Sequence, residues 1–208
     1  MKLLLASNNA KKLKELQRIL DQAGLDSVEL LALRDVEAYD EPIEDGRRFV
    51  DNAIIKARAG VAHTGLATIA DDSGIAVEEL NGMPGVLSAR WSGAHGNDTA
   101  NNELLLAQME HVPAKRRNAA FVSVCVLALP DGQEFAQEGR WEGQLLRAPK
   151  GENGFGYDPL FIPAEEIGGA ERSSAELSAE EKDALSHRGK ALRGLVEKIA
   201  LLADAENA

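Results

Sequence analysis

An α/β fold is predicted by two features of this sequence. Short apolar runs that read as strands alternate with longer stretches in which apolar residues recur at helical spacing. With 208 residues, 44% hydrophobic and 27% charged, the chain can bury one sizeable core, as one domain with or without a smaller lobe. The balance is that of a globular chain, not a disordered one.

Lys2 to Ala6 reads as the first strand, and the start MKLLLASNN is therefore not read as a secretory signal. Ser7, Asn8 and Asn9 turn the chain into a helix from about Lys11 to Ala23. Leu13, Leu16 and Leu20 share one face of it, and Gly24 closes it. Val28 to Leu31 is a candidate short strand. Residues 34 to 48 are acidic and irregular, broken by Pro42 and Gly46. A second helix is expected from about Arg47 to His63, because Phe49, Ala53, Ala57 and Gly60 mark a core face. Asn52 and Lys56, four apart, share a neighbouring stripe that spacing alone assigns to solvent.

Ala67 to Ala70 reads as a buried strand. A polar turn, Asp71-Asp72-Ser73-Gly74, separates it from a second strand at Ile75 to Val77. Asn97 and Asp98 can cap a helix reaching about His111, and Pro113 to Asn118 is a basic loop. Ala119 to Leu129 is the clearest strand, and Pro130-Asp131-Gly132 turns it into a partner strand from Glu134 to Trp141. One last helix is expected from Ser178, which forms a capping box with Glu181, to about Ala203.

The formal net charge of −11 argues against a broad nucleic-acid surface, which needs clustered Lys and Arg. The single cysteine, Cys125, excludes an internal disulfide and reads as a buried thiol. No stretch approaches the ~20 apolar residues of a membrane span, so a cytoplasmic location is expected.

Four stretches carry chemistry. Asp71 and Asp72 end a buried strand, where carboxylates are costly unless their charge is offset; a hard cation such as Mg²⁺ does so. Ser7 to Lys12 forms a strand-to-helix junction. It either binds an anion through free N–H groups and two lysines, or is simply capped by Asn9. Gly151 to Phe161, GENGFGYDPLF, sets three glycines around Phe155 and Tyr157. Those rings either stack on a flat base or plug the core. Lys182, Ser186, His187 and Arg188 lie near the start of the last helix, where a solvated charged face is the plain alternative to a binding role.

Together these pieces resemble the inosine/xanthosine triphosphate pyrophosphatases. SNNAKKLKEL, FVDNAIIKARA, IADDSGIAVEELNGMPGVLSARWSG, GFGYDPLF and AELSAEEKDALSHRGKAL occur in that family's order and cover nearly the whole chain. The resemblance implies an elongated α/β domain over residues 1 to 208. It would have a long central mixed sheet, two lobes around a deep nucleotide cleft, and a homodimeric assembly. It also implies Mg²⁺-dependent hydrolysis of ITP, dITP and XTP to the monophosphate and pyrophosphate. By that resemblance Asp72 is the general base and a metal-linked carboxylate. Ser7, Asn8, Asn9, Ala10, Lys11 and Lys12 form the phosphate junction, with Asn52 and Lys56 near the phosphates. Ser73 touches the nucleotide. Phe155, Gly156, Tyr157 and Asp158 line the base pocket. Lys182, His187 and Arg188 bind substrate, the last two near the purine. The family often carries two adjacent glutamates before the second helix. Here the order is Glu41-Pro42-Ile43-Glu44-Asp45-Gly46, which makes Glu44 the candidate metal ligand, with Glu41 and Asp45 as alternatives.

Selectivity on this reading comes from purine C6, where inosine and xanthine present a carbonyl and adenine an amine. A donor from the backbone near Tyr157, or from His187 or Arg188, accepts the first and rejects the second. Two other functions compete: a Mg²⁺-dependent phosphohydrolase for another nucleotide or phosphorylated metabolite, and a nucleotide-binding module without turnover.

Overall fold

A computed structural model of the chain describes residues 1 to 206. Six strands, β1 (Lys2–Leu5), β2 (Glu29–Ala32), β3 (Ala67–Val77), β4 (Asn118–Ala128), β5 (Glu134–Leu145) and β6 (Phe161–Pro163), hydrogen-bond in the order β2-β1-β3-β4-β5-β6. The sheet is mixed: β1 runs parallel to β2 and β3, and β6 antiparallel to β5. The helices are α1 (Ala10–Gln22), α2 (Phe49–Thr64), α3 (Asp98–Gln108), α4 (Ala179–Leu185) and α5 (His187–Glu206). The expected α/β class holds.

The chain divides into two compact units. The first comprises Met1–Asp72, Ser123–Gly139 and Arg188–Ala208, the second Ser73–Val122 and Arg140–His187. In the first unit, strand alternation builds two apolar layers. Leu3, Leu5, Ile69, Cys125 and Leu127 face α1 and α5 through Leu16, Leu20, Leu192 and Leu195. Ala70, Val124 and Val126 face α2 through Ala53 and Ala57. The small alanines of that second layer bring α2 close to the strands. The second unit has one core, in which Ile75, Val77, Phe121, Trp141 and Phe161 pack with Leu105, Met109 and Tyr157.

Three expectations are corrected. Asp71-Asp72-Ser73-Gly74 is not a turn: it lies inside the 11-residue strand β3. Gly74 is needed for close approach, since a Cβ there would collide with the Ser88 hydroxyl and the Gly85 carbonyl. The last helix is two helices, because Ser186 is extended at φ −61°, ψ 149°, the backbone of a residue just outside a helix. Asn52 is buried at 1% exposure and does not face solvent.

Cys125 is buried as expected, and burial, then the Asp71 charge, pushes its thiol up to about 12. It has almost no thiolate at neutral pH and is expected to resist maleimide in the native chain and react once unfolded, as mass spectrometry would record.

Candidate functional site

In the first unit, Asp71 and Asp72 point to opposite faces of β3 because successive strand residues alternate. Asp72 faces α2. Asn52 Nδ2 donates to Asp72 Oδ2 at 2.9 Å, while Asn52 Oδ1 accepts the Gly46 N–H at 2.8 Å. Asn52 therefore ties the acidic loop to Asp72 and fixes the carboxylate's orientation. Lys56 Nζ lies 2.9 Å from Glu44 Oε2 and 4.0 Å from Asp72 Oδ1. Burial raises the Asp72 carboxyl above its ordinary value. Lys56 and Asn52 oppose the rise, and the charges of Glu44 and Asp71 add to it. Of the three acidic candidates in the loop, Glu44 is the one paired with Lys56; Glu41 and Asp45 are exposed.

Asp71 faces α1 and α5. Its oxygens accept from Lys12 Nζ at 2.8 Å and Arg188 Nε at 3.1 Å, and Arg188 Nη1 reaches Glu15 Oε2 at 3.2 Å. Burial alone would push the Asp71 carboxyl up. The Lys12 and Arg188 charges outweigh it and hold the group far below the usual carboxylate range. Burial likewise disfavours the Arg188 charge, and Asp71 and Glu15 more than restore it. Sequence marked Asp71, with Asp72, as a carboxylate whose charge needs an offset, but not Lys12 and Arg188 as the partners that supply it here; Glu15 was not singled out. The available signals were the doubled aspartate and a glutamate one turn beyond Lys12 on α1.

The N-terminal junction is capped as one of the two readings expected. Asn9 Oδ1 accepts the N–H groups of Lys11 at 2.9 Å and Lys12 at 3.4 Å, and Ser7 Oγ accepts the Asn9 N–H at 3.1 Å. Asn8 and Ala10 are exposed beside them. The first turn of α1 thus has two of its N–H groups, those of Lys11 and Lys12, taken up by Asn9.

In the second unit the two aromatics of the glycine loop sit differently: one is buried and one is exposed. Tyr157 plugs the core, with its hydroxyl donating to the Ser88 carbonyl at 2.8 Å. Phe155 is 44% exposed, and the Lys182 ammonium sits over its ring, 5.1 Å from the centroid. Asp158 is buried. Its carboxylate accepts from the Phe155 N–H at 2.8 Å and the Ser174 hydroxyl at 2.9 Å and pairs with Lys182. Gly154 has φ +82°, and a Cβ there would meet that carboxylate. Asp158 thus holds the loop's shape from beneath. His187 is buried, and its ring stacks on Phe121, with centroids 5.0 Å apart and planes 13° apart. Ser73 is half-buried in β3.

The first unit therefore gathers Asn52, Lys56, Glu44 and Asp72 on one face of β3, and Lys12, Glu15, Asp71 and Arg188 on the other. The second unit gathers Phe155, Asp158 and Lys182, with Tyr157 and His187 set in its core. Among the described residues, no group of three or more His, Cys, Asp or Glu side chains converges as a metal cage. Glu44 and Asp72, meeting at one ammonium, are the oxygen donors present. Mg²⁺ is commonly held by one or two carboxylates with the rest of its shell from water and phosphate, so this pair fits it.

The Ham1 family profile matches residues 3–198. A Corynebacterium glutamicum (strain R) protein named dITP/XTP pyrophosphatase is 93% identical over 205 residues, covering 99% of this chain and 100% of the relative. A crystal structure titled nucleoside-triphosphatase / dITP/XTP pyrophosphatase, from Mycobacterium abscessus, is 59% identical. It superposes with a TM-score of 0.78, covering 94% of this chain and 99% of that one. The structure of a HAM1 protein from Coxiella burnetii, 37% identical, superposes with a TM-score of 0.86 over 96% of this chain and 98% of that one. The chain belongs to the Ham1 family.

Proposed function

We propose that this chain is a Mg²⁺-dependent nucleoside triphosphate pyrophosphatase acting on deaminated purine nucleotides. It hydrolyses ITP, dITP and XTP to the monophosphate and pyrophosphate, and so keeps these bases out of DNA and RNA. The name shared by its close relatives supports the reaction class. The observation that carries the mechanism is a partly buried Asp72 with a raised pKa, oriented by Asn52 and set beside a lysine that it shares with Glu44.

A carboxylate with a raised pKa is a stronger base than an exposed one. Asp72, oriented by Asn52, takes the proton of a water at the phosphorus. Lys56 lies where charge builds on the phosphate oxygens, and the N-terminal end of α1 with Lys11 and Lys12 receives the leaving pyrophosphate. Asp72 and Glu44 would hold Mg²⁺, which when bound neutralises phosphate oxygens.

In the second unit, Phe155 offers the purine an exposed aromatic face. Backbone groups beside Tyr157 supply the donor for a C6 carbonyl. Lys182, His187 and Arg188 belong to the substrate-binding set on this reading. Burial and ion pairing direct Arg188 toward holding Asp71 and the start of α5, and Asp158 toward holding the loop. Residues 1 to 208 act as one catalytic domain, as a homodimer in the cytoplasm. Among the described residues, no helix is long and apolar enough to cross a membrane.

A panel of ITP, dITP, XTP, GTP and ATP with Mg²⁺ tests the selectivity. Turnover is expected to favour ITP, dITP and XTP over ATP by at least about a hundredfold, the scale on which unpaired buried polar groups discriminate. Equal rates on ATP and ITP would contradict recognition at C6.

A further inference from the structure

Helix α3 holds the two successive peptide groups that flank Gly156 in the glycine loop. Asp98 Oδ2 accepts the Gly156 N–H at 2.7 Å, and Asn102 Nδ2 donates to the Gly156 carbonyl at 2.9 Å. Residues four apart lie on one helix face, so the two side chains meet the same residue, Gly156. Gly156 has φ +61° and sits outside every strand, so these two bonds take the place of sheet pairing in fixing it.

The Asn102 side chain has a further feature. Its Oδ1 is buried and accepts no hydrogen bond among the described residues. A buried acceptor without a donor costs folding free energy. Leucine, of similar size, would remove that cost and keep the helix. What leucine cannot do is donate to the Gly156 carbonyl.

We propose that Asp98 and Asn102 are positioning residues for purine recognition. By fixing the peptide groups on both sides of Gly156 they set the tilt of the neighbouring exposed Phe155 ring and the direction of the backbone groups offered to the base. The proposal rests on the reading that this loop receives the purine. Neither side chain contacts substrate, so the effect falls on KM.

Steady-state kinetics on ITP with Mg²⁺, with thermal melts, test it in Asn102→Leu, Asp98→Ala, Asp98→Asn and Phe155→Ala. Asn102→Leu is expected to melt no lower than the parent while KM rises about fivefold to tenfold, the scale of one lost hydrogen bond, and kcat changes little. Asp98→Ala should share the KM rise. Asp98→Asn, which keeps an acceptor oxygen for the Gly156 N–H, should return KM toward the parent value. Phe155→Ala should also raise KM. A parental KM in Asn102→Leu and Asp98→Ala beside a raised KM in Phe155→Ala would overturn the clamp and leave the base-binding loop standing. A parental KM in all three would overturn both.

Discussion

Asp72→Asn is expected to lower kcat on ITP about a hundred- to ten-thousandfold, the range for loss of a general base, without lowering the melting temperature at neutral pH. The stability half follows from the raised carboxyl. A group whose folded pKa exceeds its unfolded value, near 3.8 here, favours the fold when protonated. That contribution is complete below 3.8 and is lost as pH rises through the folded value. Above the folded value the ionised Asp72 therefore subtracts from stability, and an amide of the same shape removes the penalty. The Asn52 bond survives, because an amide oxygen still accepts. In the parent, kcat/KM should fall on the acid side with unit slope, at a pH above the ordinary aspartate value. A variant that turns over like the parent with Mg²⁺ present would remove Asp72 from the base role, and kinetics with calorimetry on one preparation read both halves.

Asp71→Asn should do the reverse: it should unfold the protein more easily. Asp71 is 5% exposed and neutralises Lys12 and Arg188 together. Removing one member of a buried ion pair strands the other, at about 3–5 kcal/mol, or roughly 10 °C in melting temperature for a chain of this size. Glu15 remains on Arg188, which places the expected loss toward the lower end. Here the folded carboxyl lies far below its unfolded value, so its stabilisation is present above 3.8 and disappears only as pH falls through the folded value. The melting deficit should therefore be full at pH 7 and shrink toward pH 3. A deficit independent of pH would assign the loss to packing instead. The two neighbouring aspartates thus separate: one variant loses chemistry and keeps stability, and the other loses stability first.

Much of this was legible from local pattern. The leucine spacing of α1, the alternation of β4 and the capping box of Ser178 and Glu181 each need only nearby residues, and each formed where expected. What failed depended on distant partners. Asp-Asp-Ser-Gly has the composition of a turn. It stays extended because the 85–90 segment packs on Gly74, a contact no local window contains. Leu185 and Leu192 stand seven apart, two helical turns, and so carry the helical pattern across Ser186, where the break was hidden. Asn52 reads as solvent-facing by spacing, but it sits between Asp72 of β3 and the acidic loop at Gly46, both distant in sequence. The aromatic pair in the glycine loop could not be divided by sequence, because Phe155 and Tyr157 differ in what lies behind them, not in their neighbours along the chain.

The central claim is that water, deprotonated at Asp72, releases pyrophosphate from a deaminated purine triphosphate. A rapid-quench time course of ITP with Mg²⁺, resolving IMP, IDP, pyrophosphate and orthophosphate, tests it most directly. IMP and pyrophosphate should appear together, one for one from the first turnover, and vanish on chelation. IDP with orthophosphate as the first products, or an unchanged burst of pyrophosphate in Asp72→Asn, would contradict it.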